Sequence, residues 1–541
     1  MKERKPVFQN KHLILLQSAA AVLVSMSTMS HASAATLSVG SGKPYAKPCA
    51  AINAAKDGDI IEISGNATYA SDVCGIARNN LTIRGVNGRP KIDANGANAL
   101  GKGTWVVSGN NVTVENVEMY GARVPDRNGA ALRLEGAGFT LRGSFLHDNE
   151  NGILSGVNTA SDVLIEYSEF GHNGAGDGYT HNLYIGNVKS LTFRYNYSHD
   201  ANVGHNLKSR ARVNTIYSNR FSSIAPGQSG STASGSPSYE VDLPNAGTSY
   251  LIGNVIEQPA ANSNPNLLAY GEEGASNPGK DLYVVNNTFL NDSGSGGTFV
   301  LVGSDVTTPV LLQNNIFGGV GNATNQSNAT DRTNYRSAAP AFVNRAGYDL
   351  HPAPNSPMIN AGTAPGNAAS GFSLAATSQY KHVAATETRT GVGQIDIGAY
   401  EAGSSTSVTP PSGTNWTACA SEGGTCSFSG THEVRYGSGT TFVTKTVTGS
   451  TACSNAVFGD PTPNVAKSCS YASTSPAPVT WTACSQENGT CSFSGTRDVR
   501  YGAGSSFVTR TFTGSASCSN AVFGDPVYGV AKSCSYSSVT K

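Results

Sequence analysis

His181–Gly186 reads HNLYIG, His205–Phe221 reads HNLKSRARVNTIYSNRF, and Tyr239–Leu243 reads YEVDL. Set one above another, the three segments read as successive strands of one stack. Ile153, Leu183, Leu207, Val241 and Leu268 align as inward apolar residues. Their neighbours then fall in two columns. One holds Gly152, Asn182, Asn206 and Glu240; the other holds Leu154, Tyr184, Lys208 and Asp242. Stacked strands lie about 4.8 Å apart, so each column is a line of side chains within mutual reach.

The pattern extends well beyond this stretch. LTIRG at Leu81, VTVEN at Val112, FTLRG at Phe139, VLIEYSEF at Val163, LTFRYNY at Leu191, NTIYSNRF at Asn214, YLIGNVI at Tyr250, LYVVNNTF at Leu282 and LLQNNIF at Leu311 repeat one motif. Each is a short β-branched or aromatic run with alternating character. A small polar residue closes each run from the second onward: Asn116, Ser144, Ser168, Asn196, Asn219, Asn254, Asn287 and Asn315. Repeats of this length with period-2 strands indicate a solenoid. Asn at a recurring turn can hydrogen-bond along the stack. Asn325–Ser337 reads as a polar loop, and Asp349–Ala361 and Asp396–Glu401 (DIGAYE) as the segments that close the domain.

Composition agrees with β structure. Charged residues make up only 13% of the 541, and there are 62 Gly; such chains disfavour helices and suit turns. Lys+Arg and Asp+Glu are equal at 36 each, which gives no basic face for nucleic acid. Residues 1–35 read as a signal peptide, with Lys2, Arg4, Lys5 and Lys11, the apolar run Leu13–Val24, and a small-residue cleavage site at Ala32–Ala34. The apolar run is too short to remain as a membrane span. Removing residues 1–35 takes away four basic residues and one acidic one, leaving 32 against 35 and a net charge of −3. The expectation is a soluble monomer, exported to the medium or the periplasm.

The ten cysteines suit that destination. Cys49 and Cys74 stand near the start, where a bridge would pin a capping helix over Pro48–Lys56 to the first rung. The other eight form two sets, Cys419, Cys426, Cys453, Cys469 and Cys484, Cys491, Cys518, Cys534. Each pair of equivalents is 65 residues apart, and WTAC, GTCSFSGT, VRYG and CSNAVFGDP occur twice. Duplication of the whole pattern predicts bridges within each repeat. The expected domains are a β-helix over 36–403, a Ser/Thr/Pro linker over 404–415, a small β module over 416–472, a linker over 473–480, and a second module over 481–541. Trp416/Trp481, Arg435/Arg500 and Tyr436/Tyr501 offer a sugar platform. A lone Trp per module suits a core equally well.

The Asn-ended rungs and the closing DIGAYE resemble the pectate-lyase-like right-handed parallel β-helix superfamily, across Thr36–Ala402. The two C-terminal repeats resemble accessory modules of secreted carbohydrate-active enzymes. Lys208-Ser209, Asn214-Thr215 and Asn219-Arg220-Phe221 are similar to the motif around the base lysine of the chondroitinase-B and alginate-lyase family, which implies Lys208 as base. That family's Arg-His-Gly is replaced by YEVDLPN at Tyr239–Asn245, and its acidic pair by His205-Asn206.

Three chemistries remain open. A lyase acting on a uronic polymer needs a base, a cation for the carboxylate and a proton for the leaving oxygen. Lys208, with its pKa lowered by Arg210 on the same face, suits the base; His205 and Tyr184 are further catalytic candidates, and Tyr184 suits the acid. His181, Asn182, Arg212, Asp177 and Glu272 are candidate substrate ligands, with Trp416 and Trp481 in the modules. Asn206, Glu240 and Asp242 are oxygen donors suited to Ca²⁺. A glycoside hydrolase would instead need two carboxylates from among Glu240, Asp242, Asp177, Asp200, Glu272 and Glu273, of which Glu240 and Asp242 share a face, and a C5-epimerase would use the lyase's proton abstraction. A non-catalytic binding protein would need only stacked Asn, stacked His and a Lys208–Asp242 ion pair.

Overall fold

The computed structural model describes residues 34–223, 238–402, 416–472 and 481–540, less 263, 295, 346–347, 392, 439–440, 459–464, 504–505 and 528–529. The expected leader, apart from its last two residues, and both linkers lie outside the described residues. The chain divides into two units, Met1–Ser405 and Thr406–Lys541.

In the first unit the chain visits three sheets in turn, of 12, 11 and 10 strands, and then repeats. Within each sheet neighbouring strands run parallel, as in Leu191–Phe193 on Asn214–Ile216. This is the right-handed parallel β-helix expected from the repeats. Alternation drives it: Val112–Glu115 and Phe139–Arg142 alternate between buried and half-buried residues. Ile83, Val114, Leu141, Ile165, Phe193 and Ile216 form one continuous inward column, each with no exposed surface. Each such side chain stabilises the stack by about 1.5–3 kcal/mol. The column belongs to a single cluster running from Val39 to Phe317.

The small polar residues form a ladder where the first sheet turns into the second. The backbone N–H of each donates to the side chain one rung on: Ser168 to Asn196 at 2.9 Å, Asn196 to Asn219 at 2.9 Å, Asn219 to Asn254 at 3.0 Å, and onward to Asn334. Satisfied in this way, buried amides can occupy every turn. Asn116 is one place out of step; Val117 takes the ladder position there, donating to Ser144.

The helix Pro48–Ala54 buries Pro48, Cys49, Ala51 and Ile52 over the first rung, and Cys49 is bridged to Cys74. One expectation needs correction. Residues 325–337 do not form a plain loop, because the strands Thr330–Arg332 and Tyr335–Ser337 still pair with the rung before them. DIGAYE lies along the ladder: Gly398 donates to the Asn314 carbonyl and Ala399 to Thr288 Oγ1.

The second unit holds two four-stranded antiparallel sheets with the same strand order. Bridges Cys419–Cys426, Cys453–Cys469, Cys484–Cys491 and Cys518–Cys534 all stay within one repeat. No described cysteine is free.

Candidate active site

The strands Leu183–Ile185, Leu207–Ser209, Val241–Leu243 and Leu268–Tyr270 stack in the third sheet. Their register pairs Leu154 with Tyr184, Tyr184 with Lys208 and Lys208 with Asp242. Leu207 pairs with Val241 and points inward. The outer column therefore stands where the alternation puts it, and the loops over it bring in partners distant in sequence.

Lys208 Nζ lies 2.8 Å from Asp242 Oδ2 and 2.8 Å from Glu273 Oε1. Arg210 Nη2 reaches the other Glu273 oxygen at 2.5 Å, its Nη1 donates to Asn245 Oδ1, and its Nε donates to the Tyr184 hydroxyl at 2.7 Å. Lys208 and Arg210 thus hold one carboxylate between them, beside a phenol. Lys208 is only 8% exposed. Burial works against its charge, but Asp242 and Glu273 outweigh burial and hold its pKa above the ordinary lysine value. This corrects the expected neutral amine: Arg210 is neutralised by Glu273 and does not drive the proton off Lys208.

His181 and His205 stack face to face, ring centroids 4.6 Å apart, with Tyr184 beyond His181. The His205 backbone N–H donates to His181 Nδ1, so the His181 proton sits on Nε2. Burial, followed by the neighbouring His205 and Lys208, holds His181 well below the ordinary histidine range. Burial and Lys208 push His205 down to about 3. Both rings are neutral walls of the site, and His205 Nε2 comes no closer than 3.5 Å to Asp242.

The column Asn182, Asn206 and Glu240 does not share that surface. Asn182 Nδ2 donates to Asn206 Oδ1 at 2.8 Å and to the His199 carbonyl at 2.7 Å. Asn206 Nδ2 donates to Glu240 Oε2 at 2.5 Å and to Ser223. These residues form a second polar ladder, enclosed where the second sheet turns into the third. Gly152 continues it without a side chain, because a Cβ there would sit 2.5 Å from the Asn182 carbonyl. Glu240 has no exposed surface, and burial pushes its pKa up to about 8. Asn182 is therefore not placed to touch substrate. Glu240 cannot pair with Asp242 across a glycosidic bond. Asn206, Glu240 and Asp242 do not converge on a cation: two face the interior and the third is bonded to Lys208. No calcium step is derived from them.

Other expected ligands stand apart. Asp177 accepts from the Tyr179 backbone and the Thr180 hydroxyl. Arg212 donates to Asn187. Glu272 is exposed, and its neighbour Glu273 makes the contacts instead. Glu273 is legible in the sequence only as one of six candidate carboxylates, not as the partner of Lys208 and Arg210, because YGEEG offers two adjacent carboxylates with nothing to choose between them. Asn245 and Tyr239 were missed as well; Tyr239 stacks obliquely on His205. A groove of about 620 Å³ lies over Thr113, Thr140, Leu164 and Thr192 on the first sheet, away from Lys208 and without an acid–base pair.

In the modules, Arg435 lies between Trp416 and Phe442, 4.5 and 4.3 Å from their ring centroids. Arg500 repeats this between Trp481 and Phe507. Tyr436 and Tyr501 are core residues with no exposed surface, which removes them from the expected platform.

With the geometry established, the chain can be set beside solved structures. One described as pectate lyase Pel9A matches over 68% of this chain and 96% of its own, with a TM-score of 0.50 at 15% identity. The fold is that of a pectate-lyase-like parallel β-helix. An alginate lyase from Paenibacillus sp. str. FPU-7 matches over 56% of this chain and 99% of its own, but with a TM-score of 0.34 at 12% identity, which carries no argument. No family model matches the chain. Among the described residues, no helix is long and apolar enough to cross a membrane.

Proposed function

We propose that this chain is an exported lyase that cleaves a uronic-acid-containing polysaccharide by β-elimination. The observation that carries the reading is the joint grip of Lys208 and Arg210 on the Glu273 carboxylate, with the Tyr184 hydroxyl 2.7 Å from Arg210. A uronate carboxylate has the same charge and shape as the Glu273 head group, whose side chain is 47% exposed and free to be displaced. Arg210 offers the fork that suits a carboxylate.

In this reading Arg210 and Lys208 neutralise the substrate carboxylate, so that negative charge can build up beside it when the C5 proton leaves. Tyr184 passes its own proton to solvent and takes that of C5, and Arg210, whose Nε already donates to the Tyr184 oxygen, serves as its counter-ion. The C5–H electron pair forms the C4=C5 bond, the C4–O4 bond breaks, and O4 takes a proton from the charged Lys208. Assigning Lys208 as acid follows from its two carboxylate partners. The modules hold the polymer through Trp416 and Trp481, two weak linked sites gaining avidity. Five disulfides suit an oxidising compartment.

The test is absorbance in the unsaturated-uronate band on a panel of uronic polymers. A rise that Tyr184→Phe abolishes is expected. Reducing ends without a rise would make the chain a hydrolase, and polymer retention without either product would make it a binding protein.

A further inference from the structure

A second cluster of chemically able side chains lies on the other side of the inner ladder. The strands Phe145–His147, Glu169–Gly171 and Tyr197–His199 stack with His147 opposite Gly171 and Gly171 opposite His199. The next residue in each rung, Asp148, His172 and Asp200, has a left-handed backbone, with φ of 52°, 57° and 50°. The three therefore leave the turn in one line. His172, His199 and Asp200 each offer one ligand atom, a ring nitrogen or a carboxylate oxygen, and the three atoms lie within 4.8 Å of one another. His199 Nδ1 is 2.8 Å and His172 Nε2 3.7 Å from Asp200 Oδ2.

We propose that His172, His199 and Asp200 bind a divalent transition ion of the zinc type, which braces this turn. Three observations beyond the clustering support it. His172 Nε2 is buried and has no hydrogen-bond partner among the described residues, a state that native interiors avoid unless the atom has a use. His199 is oriented from behind: its Nε2 faces Glu169 Oε1 at 3.3 Å, the carboxylate–histidine arrangement that fixes a metal-binding imidazole, and its Nδ1 is turned to Asp200, the carboxylate with which it would share the ion. The ring also needs Gly171 beneath it, because a Cβ there would sit 2.6 Å from the His199 ring.

Two imidazole nitrogens and one carboxylate make a zinc donor set with room for a water. Calcium would call for six to eight oxygens. The brace reaches the site already described, since Asn182 Nδ2 bonds the His199 carbonyl and Asn206 Oδ1 accepts from the Ala201 N–H. The proposal does not depend on the lyase reading.

The experiment uses the full chain stripped of metal, titrated with Zn²⁺ against a chromogenic chelator and, separately, with Co²⁺ in the visible. One equivalent of each is expected, with the intense bands of four-coordinate Co²⁺. His172→Asn, chosen because Asn tolerates a left-handed backbone, should weaken Zn²⁺ binding by at least about 100-fold, and Glu169→Gln by about 10–100-fold. His147→Gln should leave binding unchanged, because His147 faces Asp148 and Glu118 with no second imidazole. Failure to bind one equivalent overturns the proposal, as does His172→Asn binding like the parent. If His172→Asn does not fold, the parent's Co²⁺ spectrum decides: pale six-coordinate bands overturn the site.

Discussion

Asn182, Asn206 and Glu240 stand one residue before the inward residues Leu183, Leu207 and Val241; Tyr184, Lys208 and Asp242 stand one residue after. By period 2 the two columns share a face. In the folded chain they part. The first is sealed inside a turn and spends its polar groups on one another. The second lies under the loops and meets Glu273 and Arg210. Alternation governs side chains only within a strand, and these strands begin at Leu183, Leu207 and Val241. The residue before each belongs to the turn, and the turn directs it inward. Of the two, only the second column presents side chains to partners outside the turn.

The sharpest way to break this comparison is at Lys208. Lys208→Ala should reduce turnover by about 10²–10⁴-fold. It should also destabilise the chain, because Asp242, only 3% exposed, would be left buried without its counter-ion, a loss of about 3–5 kcal/mol. Lys208→Arg keeps the charge but holds its proton too firmly to give it up, so turnover should stay low. The double variant Lys208→Met/Asp242→Leu separates the two effects: thermal unfolding should return towards the parent midpoint while turnover does not. Full activity in the double variant would remove the outer column from catalysis.

Glu240 tests the inner column by pH. Folded, it keeps its proton up to about pH 8; unfolded, it releases it near 4.5. Between those values the folded state binds more protons, so the stability from this group is complete below 4.5, falls as pH rises, and levels off above 8. Glu240→Gln removes the titration while keeping an acceptor for Asn206. The variant should match the parent at pH 4 and exceed it at pH 9 by up to about 5 kcal/mol, read from denaturant midpoints. A constant difference across that range would show that Glu240 is not held neutral.

The sequence carried the fold because its signals are local and repeated. The run from Leu81 to Ile316 shows its alternation in every rung, and the Asn at each turn marks the ladder that closes it. The outer column was legible for the same reason: Tyr184, Lys208 and Asp242 follow from the register alone. What was not legible depends on turns and on long reach. No periodicity says that Asn206 points inward. Glu273 meets Lys208 from 65 residues away, through a loop whose path no repeat encodes. The expected low pKa of Lys208 failed with it, since that pKa is set by a partner the pattern could not supply. His172 and His199 were hidden because left-handed turn residues, not strand positions, bring His172 and Asp200 together.

Glu273 separates substrate mimicry from catalysis, and the expected effect is the smallest of the three. Its side chain is 47% exposed, so losing its ion pairs should change stability by less than about 1 kcal/mol. Burial raises its pKa, but Lys208 and Arg210 outweigh that and hold it below the ordinary glutamate value, so it is a carboxylate at neutral pH. In the proposed reaction it would compete with a uronate for the same two cations. Glu273→Gln removes the negative charge and should lower KM for a short uronate oligosaccharide a few-fold, with kcat little changed. The lowered KM should shrink as salt is added, because the contest is electrostatic. A different outcome would redraw the site. If kcat falls by about 10²-fold or more, Glu273 is moving a proton, and Asp242 and Glu273 on either side of Lys208 become the carboxylate pair that a hydrolase requires.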